Sequence, residues 1–192
     1  ANLNILNTIV YNSPIYDYNG NYLINIDSSL VIKSNLCLQY DGELSVNNSV
    51  VSNLEGSGDI LASPPGTTGT FYLDSITLNE QLLRAEKLTI SNSSILSEFD
   101  GIKSHSFGHE YNQIANSLLI SEDGINISIV GDDGSYDITN NNFGNKLSSV
   151  TLENNYNDPV NATNNYWGTD NQSIIETNVY HLYDDLNLGL VD

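Results

Sequence analysis

The chain has 192 residues, enough for one domain with a continuous core or one stack of repeats, and tight for two independent domains. Its 24 Asp and Glu against 5 Lys and Arg give a formal charge of -19, a field that repels nucleic acid, anionic lipid and polyuronic polymers and draws cations. Apolar residues at 39% take it out of the disordered class, and no run approaches the ~18 apolar residues of a membrane span or follows a basic n-region, so a soluble, mature or trimmed chain without membrane insertion is expected.

The first segment, "IVYNSPIYDYNGNYLINI", departs from the periodicity of the later segments and carries an Asn-Gly turn signal, which predicts a capping strand or hairpin over residues 1–28. Tyr11, Tyr16, Tyr18 and Tyr22 cluster here. Tyrosines near a cap cover an open core, while on an exposed strand they are candidate platforms for stacking on sugar faces. The single cysteine, Cys37, sits between apolar neighbours in "NLCLQY" and reads as a small buried hydrophobe. One cysteine permits no disulfide within the chain.

Short β segments come next, in order: "YLINI", "SLVIK", "LCLQY", "ELSV", "FYLDSITL", "KLTI", "INISIV" and "KLSSVTL". Their apolar residues recur at period two and are flanked by Asn, Asp, Gly and Ser. Asparagine, at 29 copies, is the compositional outlier. It disfavours strand and helix interiors but tolerates the left-handed conformation, so its abundance implies frequent tight bends.

The asparagines also recur. "TISNSSIL" around Asn92, "QIANSLLI" around Asn116, "DITNNNFG" around Asn140 and "NATNNYWG" around Asn164 succeed one another at 24 residues, and "SVNNSVV" around Asn48 lies 44 upstream of Asn92, two coils of about 22. Two before each Asn of the four-copy series stands Ile90, Ile114, Ile138 or Ala162; three after it stands Ile95, Leu119, Phe143 or Trp167. Short strands at a fixed period of this size predict an all-β fold, a parallel β-solenoid of about six to seven coils over residues 29–168. Asn48, Asn92, Asn116, Asn140 and Asn164 are then the candidate structural ladder, left-handed at a bend and hydrogen-bonded side chain to side chain along the axis. The functional alternative has these amides facing outward to bind ligand. Trp167, at the position of Ile95, Leu119 and Phe143, is expected to plug the core at the last coil.

Acidic turns supply hard oxygen ligands for Ca²⁺: Glu122 and Asp123 in "SEDG", Asp132, Asp133 and Asp137 in "GDDGSYD", and Asp184 and Asp185 in "YDDLN". None matches an EF-hand or a Ca²⁺ nonapeptide repeat, so these acids read first as solvated turn residues with no cofactor, and weak structural Ca²⁺ binding is the alternative. His105, His109 and His181 lack the spacing of a zinc set. In "DNQSIIETNVYHLYDDLNLG", Ile175, Val179, Leu182 and Leu186 fall on one helical face, opened by Asp170 or Ser173 and ended by Gly189, predicting a capping helix within a C-terminal cap, 169–192.

"ATNNYWGT" and, after it, "YDDLNLGLV" resemble the last coil and capping segment of right-handed parallel β-helix domains of the pectin-lyase-like superfamily, especially those of large exported bacterial and archaeal surface proteins. "NYLINIDSSLVIKSNLCLQYDGELSV" is similar to their opening coil. The resemblance implies a secreted or cell-surface setting and a place in a larger surface protein. It brings no catalytic set: "GDDGS" comes after "FGHEY", the reverse of the polygalacturonase order, and no Arg-Ile-Lys is present. A polysaccharide lyase needs a basic group to abstract the proton beside a neutralised uronate, and Arg84 with Lys87 is the only basic cluster. The expectation is a non-catalytic module, structural or adhesive and carbohydrate-binding, with polysaccharide or surface glycan as partner. The alternative is a hydrolase or lyase using Asp and Glu on one solenoid face, at the ~5–10 Å separation glycoside hydrolysis uses.

Overall fold

The computed structural model describes residues 2–17, 23–34, 36–38, 42–52, 61–62, 70–79, 83–85, 87–97, 100–104, 111–122, 124–130, 134–144, 151–181 and 191–192, and the structural statements below concern these residues. Three strands make a rung. The first rung is β1 (Asn2–Leu6), β2 (Ile9–Tyr11) and β3 (Ile15–Asp17); the second is β4 (Leu23–Asp27), β5 (Leu30–Ile32) and β6 (Leu36–Leu38). The third is β7 (Glu43–Asn47), β8 (Val50–Ser52) and β9 (Leu61–Ala62); the fourth is β10 (Thr70–Asp74), β11 (Thr77–Asn79) and β12 (Leu83–Ala85). The fifth is β13 (Lys87–Ser91), β14 (Ser94–Ser97) and β15 (Ile102–Ser104); the sixth is β16 (Tyr111–Ala115), β17 (Leu118–Ser121) and β18 (Ile127–Ile129). The seventh is β19 (Ser135–Thr139), β20 (Asn142–Phe143) and β21 (Leu152–Asn154). The eighth is β22 (Val160–Asn161), a bridge at Tyr166 and β23 (Val179–Tyr180).

Each strand pairs in parallel with its counterpart one rung away. Sheets A, B and C therefore run along the stack with eight, seven and eight strands. The protein is a parallel β-solenoid. Alternation puts every second residue inside, and the inner residues stack by kind. Ile26, Val46, Leu73, Ile90, Ile114 and Ile138 form one buried column of sheet A, and Val31, Val51, Leu78, Ile95, Leu119 and Phe143 its counterpart on sheet B. Trp167 continues the second column, its ring 4.8 Å from that of Phe143.

The bend from sheet A to sheet B is one motif used eight times. Asn7, Ser28, Asn48, Ser75, Asn92, Asn116, Asn140 and Asn164 all have φ between 48° and 59°. A single left-handed residue reverses the side-chain alternation and redirects the chain, and Asn tolerates it better than most side chains. The two coils between Asn48 and Asn92 are unequal: Ser75 divides them into 27 and 17 residues. At the bend from sheet B to sheet C, Asn12 and Lys33 repeat the device in the first two rungs.

The ends differ from the simplest expectation. The segment predicted as a capping strand or hairpin supplies strands in parallel register, because Asn2–Leu6 carries the same alternation and the same bend as Leu23–Asp27, while its Asn-Gly turn signal lies outside the described residues. Residue 28, the expected cap boundary, is the bend inside the second rung. At the other end the helix α1 (Gln172–Thr177) is only six residues long. Its N-cap is Asn171, whose side chain accepts from Ser173 N, in place of Asp170 or Ser173. Val179, expected on the helical face, is a β-strand residue opposite Leu152, where ladder bonds and a buried β-branched side chain outweigh one more helical turn. Leu182, Leu186 and Gly189 lie outside the described residues.

Candidate functional site

Five-residue strands give sheet A the widest outer face of the three. Its central outward column reads Asn4, Asn25, Ser45, Tyr72, Thr89, Gln113, Asp137 and Asn161. Stacking at one rung lets these groups bond along the axis: Asn25 Nδ2 donates to Asn4 Oδ1 at 3.1 Å, and Asn161 Nδ2 to Asp137 Oδ1 at 2.7 Å. Tyr72 and Tyr111 stand out from this amide and hydroxyl lattice, 38% and 52% exposed. They are two rungs apart, about 10 Å along the axis at the ~4.8 Å strand spacing.

Two groups on this face are electrostatically perturbed. Asp74 accepts from Ser91 Oγ at 2.6 Å, Asn92 Nδ2 at 2.8 Å and Ser75 Oγ at 3.1 Å. These bonds, led by that from Ser91 and then Asn92, hold its carboxyl below the usual range against the opposing effect of burial. Desolvation, with the hydrogen bond and charge of Asp137, raises the Tyr111 phenol; its hydroxyl donates to Asp137 Oδ2 at 3.1 Å. Asp74 and Asp137 lie three rungs apart, about 14 Å along the axis, beyond the ~5–10 Å of a hydrolytic carboxylate pair. The arrangement presents alternating donors and acceptors with two ring faces, a surface suited to a polyhydroxylated chain.

The expected asparagine ladder lies elsewhere in part. Asn48, Asn92, Asn116, Asn140 and Asn164 occupy the left-handed bend at successive repeats, but their side chains are exposed. Asn48 and Asn92 bond outward to Asp27 and Asp74. The buried ladder is formed by the next residue along, because the left-handed bend turns that side chain inward. Thr8 N donates to Ser29 Oγ (3.2 Å), Ser29 N to Ser49 Oγ (3.0 Å), Ile76 N to Ser93 Oγ (3.3 Å) and Ser93 N to Ser117 Oγ (3.1 Å). Ser117 N then donates to Asn141 Oδ1 (3.0 Å) and Asn141 N to Asn165 Oδ1 (2.8 Å). The signal is present in the sequence as a small hydroxyl or amide residue after every bend Asn.

Of the tyrosine cluster, Tyr11 is exposed and Lys33 Nζ sits 5.8 Å above its ring, so one face already carries a cation. Tyr16 belongs to β3, opposite Cys37 in β6, and Tyr18 and Tyr22 lie outside the described residues. So do the Ca²⁺ candidates Asp123, Asp132, Asp133, Asp184 and Asp185, together with His105 and His109. Among the described residues no group of three His, Cys, Asp or Glu could hold a metal ion. Arg84 is in β12 and Lys87 begins β13. His181 is buried at 3% exposure, accepting from Val191 N at Nδ1 (3.1 Å) and meeting Glu176 at Nε2 (3.0 Å), a tie between the helix and the last residues. No helix among the described residues is long and apolar enough to cross a membrane.

The class that fold and face define is a parallel β-solenoid with a polar, tyrosine-bearing outer sheet. Comparison with known protein families, curated proteins and solved structures found no match.

Proposed function

We propose that this chain is a non-catalytic module of a secreted or cell-surface protein, a right-handed member of the pectin-lyase-like β-helices, which holds a glycan chain along the outer face of sheet A. The observation that carries the reading is the pairing of Tyr72 and Tyr111 with the Asn, Thr, Gln and Asp lattice between and beside them. Ring faces cover the apolar faces of sugars, and fixed amides and carboxylates match their hydroxyls. The charge of -19 favours neutral or cationic glycans over uronates. "NNYWG" at the last rung, with Trp167 stacked on Phe143, supports the superfamily assignment.

A glycan array run beside a reducing-sugar assay, with and without Ca²⁺, tests the proposal. Binding without product release is expected, weakened in Tyr72→Ala and Tyr111→Ala with circular dichroism unchanged. Release of reducing ends overturns the non-catalytic reading, and binding that survives both substitutions overturns the assignment to sheet A.

A further inference from the structure

Among the described residues the exposed aromatic rings are those of Tyr11, Tyr72, Tyr111 and Tyr166. Tyr11 and Tyr166 belong to sheet B, in the first and eighth rungs, and Lys33 lies over the former. Tyr72 and Tyr111 alone share a face within the span of one short oligosaccharide, and strand register fixes their separation. Tyr72 is opposite Thr89, Thr89 is opposite Gln113, and Tyr111 stands two residues before Gln113 in β16. The two tyrosines are therefore offset by two rungs along the axis and by two residues along the strand. With ~4.8 Å between strands and ~3.3 Å per residue, their Cα atoms are about 12 Å apart on a line about 35° from the axis.

The midpoint of that line carries no ring. It falls in rung five between Lys87 and Thr89, both half-buried, while Leu88 between them is buried in the core. A ligand that follows the line meets a ring, a polar gap and a second ring. The Tyr111 hydroxyl is tethered to Asp137 Oδ2 at 3.1 Å, which restricts the side chain before a ligand arrives and lowers the entropy cost of stacking on it.

Linkage geometry decides which glycans present their faces at this interval. In a β-(1→4) chain of glucose-type sugars both linkage bonds are equatorial, so the chain is extended and each ring is flipped relative to the one before. Every second sugar then shows the same face, one disaccharide repeat further on. That length is close to the separation of the tyrosines, and the χ1 and χ2 freedom of exposed side chains takes up the difference. The flipped sugar between them lies over Lys87 and Thr89, whose donors match its oxygen atoms. An α-(1→4) chain leaves each C1 axially and curls, and a β-(1→3) chain winds, so neither keeps alternate rings on a straight line at this interval.

We propose that sheet A takes a neutral β-(1→4)-linked glycan of glucose or N-acetylglucosamine units, lying aslant the axis with sugars i and i+2 on Tyr72 and Tyr111. The inference rests on the glycan-binding reading above and adds to it the linkage and the register.

The probes are cellohexaose and N-acetylchitohexaose, with maltohexaose and laminarihexaose as linkage controls, titrated calorimetrically and into ¹⁵N-labelled protein. One or both β-(1→4) hexamers are expected to bind at least roughly tenfold tighter than either control, with saturable shifts at the Tyr72, Thr89 and Tyr111 amides. In the preferred series the trisaccharide is the first member to reach both rings, so affinity rises roughly threefold to tenfold from disaccharide to trisaccharide, the worth of one ring stack. Tyr72→Ala and Tyr111→Ala each abolish that step. Unchanged circular dichroism and amide shifts at Ile90 and Ile138 establish that both variants fold. Equal binding of a linkage control, or a disaccharide bound as tightly as the trisaccharide, overturns the inference, while loss of binding in the tyrosine variants still upholds sheet A as the glycan face. A different glycan bound at sheet A with neither β-(1→4) hexamer bound has the same effect. Absence of binding by any glycan overturns both.

Discussion

Asn141 is the residue whose replacement tests the corner ladder most directly. It is 3% exposed; its Oδ1 takes Ser117 N at 3.0 Å and its Nδ2 donates to Ile114 O at 2.8 Å and Asn165 Oδ1 at 3.1 Å. Asn141→Leu keeps the branched heavy-atom shape, in a somewhat larger side chain, and removes every side-chain bond. A buried N–H or C=O that loses its side-chain partner costs about 1–3 kcal/mol, so the losses at Ser117 N and Ile114 O together amount to at most about 2–6 kcal/mol. Asn141→Ser restores an acceptor of the kind Ser117 provides to Ser93 N and loses only the donation to Ile114 and Asn165, about 1–2 kcal/mol. Urea unfolding monitored by circular dichroism gives both values, and hydrogen exchange locates them, because a solenoid rung interacts only with its neighbours. Faster exchange is expected at Ser117 with Ser29 unaffected. A Leu variant within about 0.5 kcal/mol of the parent, or a Ser variant as unstable as the Leu variant, refutes the ladder as a source of stability.

Two further predictions concern the sheet A corner and the C-terminal tie. Since hydrogen bonds depress the Asp74 carboxyl in the folded state, its contribution is present at neutral pH and is lost as pH falls below the ordinary carboxylate range. Asp74→Ala should lower the thermal midpoint at pH 7 and flatten its decline toward pH 2.5; an unchanged slope counts against the assignment. His181→Phe removes the acceptor of Val191 N–H, and should cost about 1–3 kcal/mol and speed exchange at Val191 and Ala162, whose N–H bonds Asp192 O. Parental exchange rates there would show that His181 is not the tie.

Sheets and columns are legible in the sequence because an inward residue must be apolar in every rung, so Ile90, Ile114 and Ile138, or Ile95, Leu119 and Phe143, recur wherever rung length is constant. Where rung length varies, the period disappears. Ser75 hides the bend between Asn48 and Asn92, so the expected two coils of about 22 are in fact 27 and 17, since Ser is not a usual left-handed residue. The sequence pattern puts the ladder one place too early because both residues of an Asn-Ser or Asn-Asn pair bend and bond readily, and only the backbone sign at the first decides which side chain turns inward. Tyr72 and Tyr111 give no sequence signal as a pair because they are far apart in the chain, and it is rung stacking that brings them to one face. Helical spacing overextends the helix because Val179 satisfies it and strand pairing alike, and contact with Leu152 decides.

Rungs six and seven are interchangeable at their joints: Ser117 and Asn141 each accept one N–H from the preceding rung and each offer one to the next. A chain joined in this way can gain or shed whole windings with its remaining bonds re-formed between new neighbours. Overall reach is thus a property that duplication can alter in steps of about 5 Å, while the cross-section and its outward chemistry stay the same.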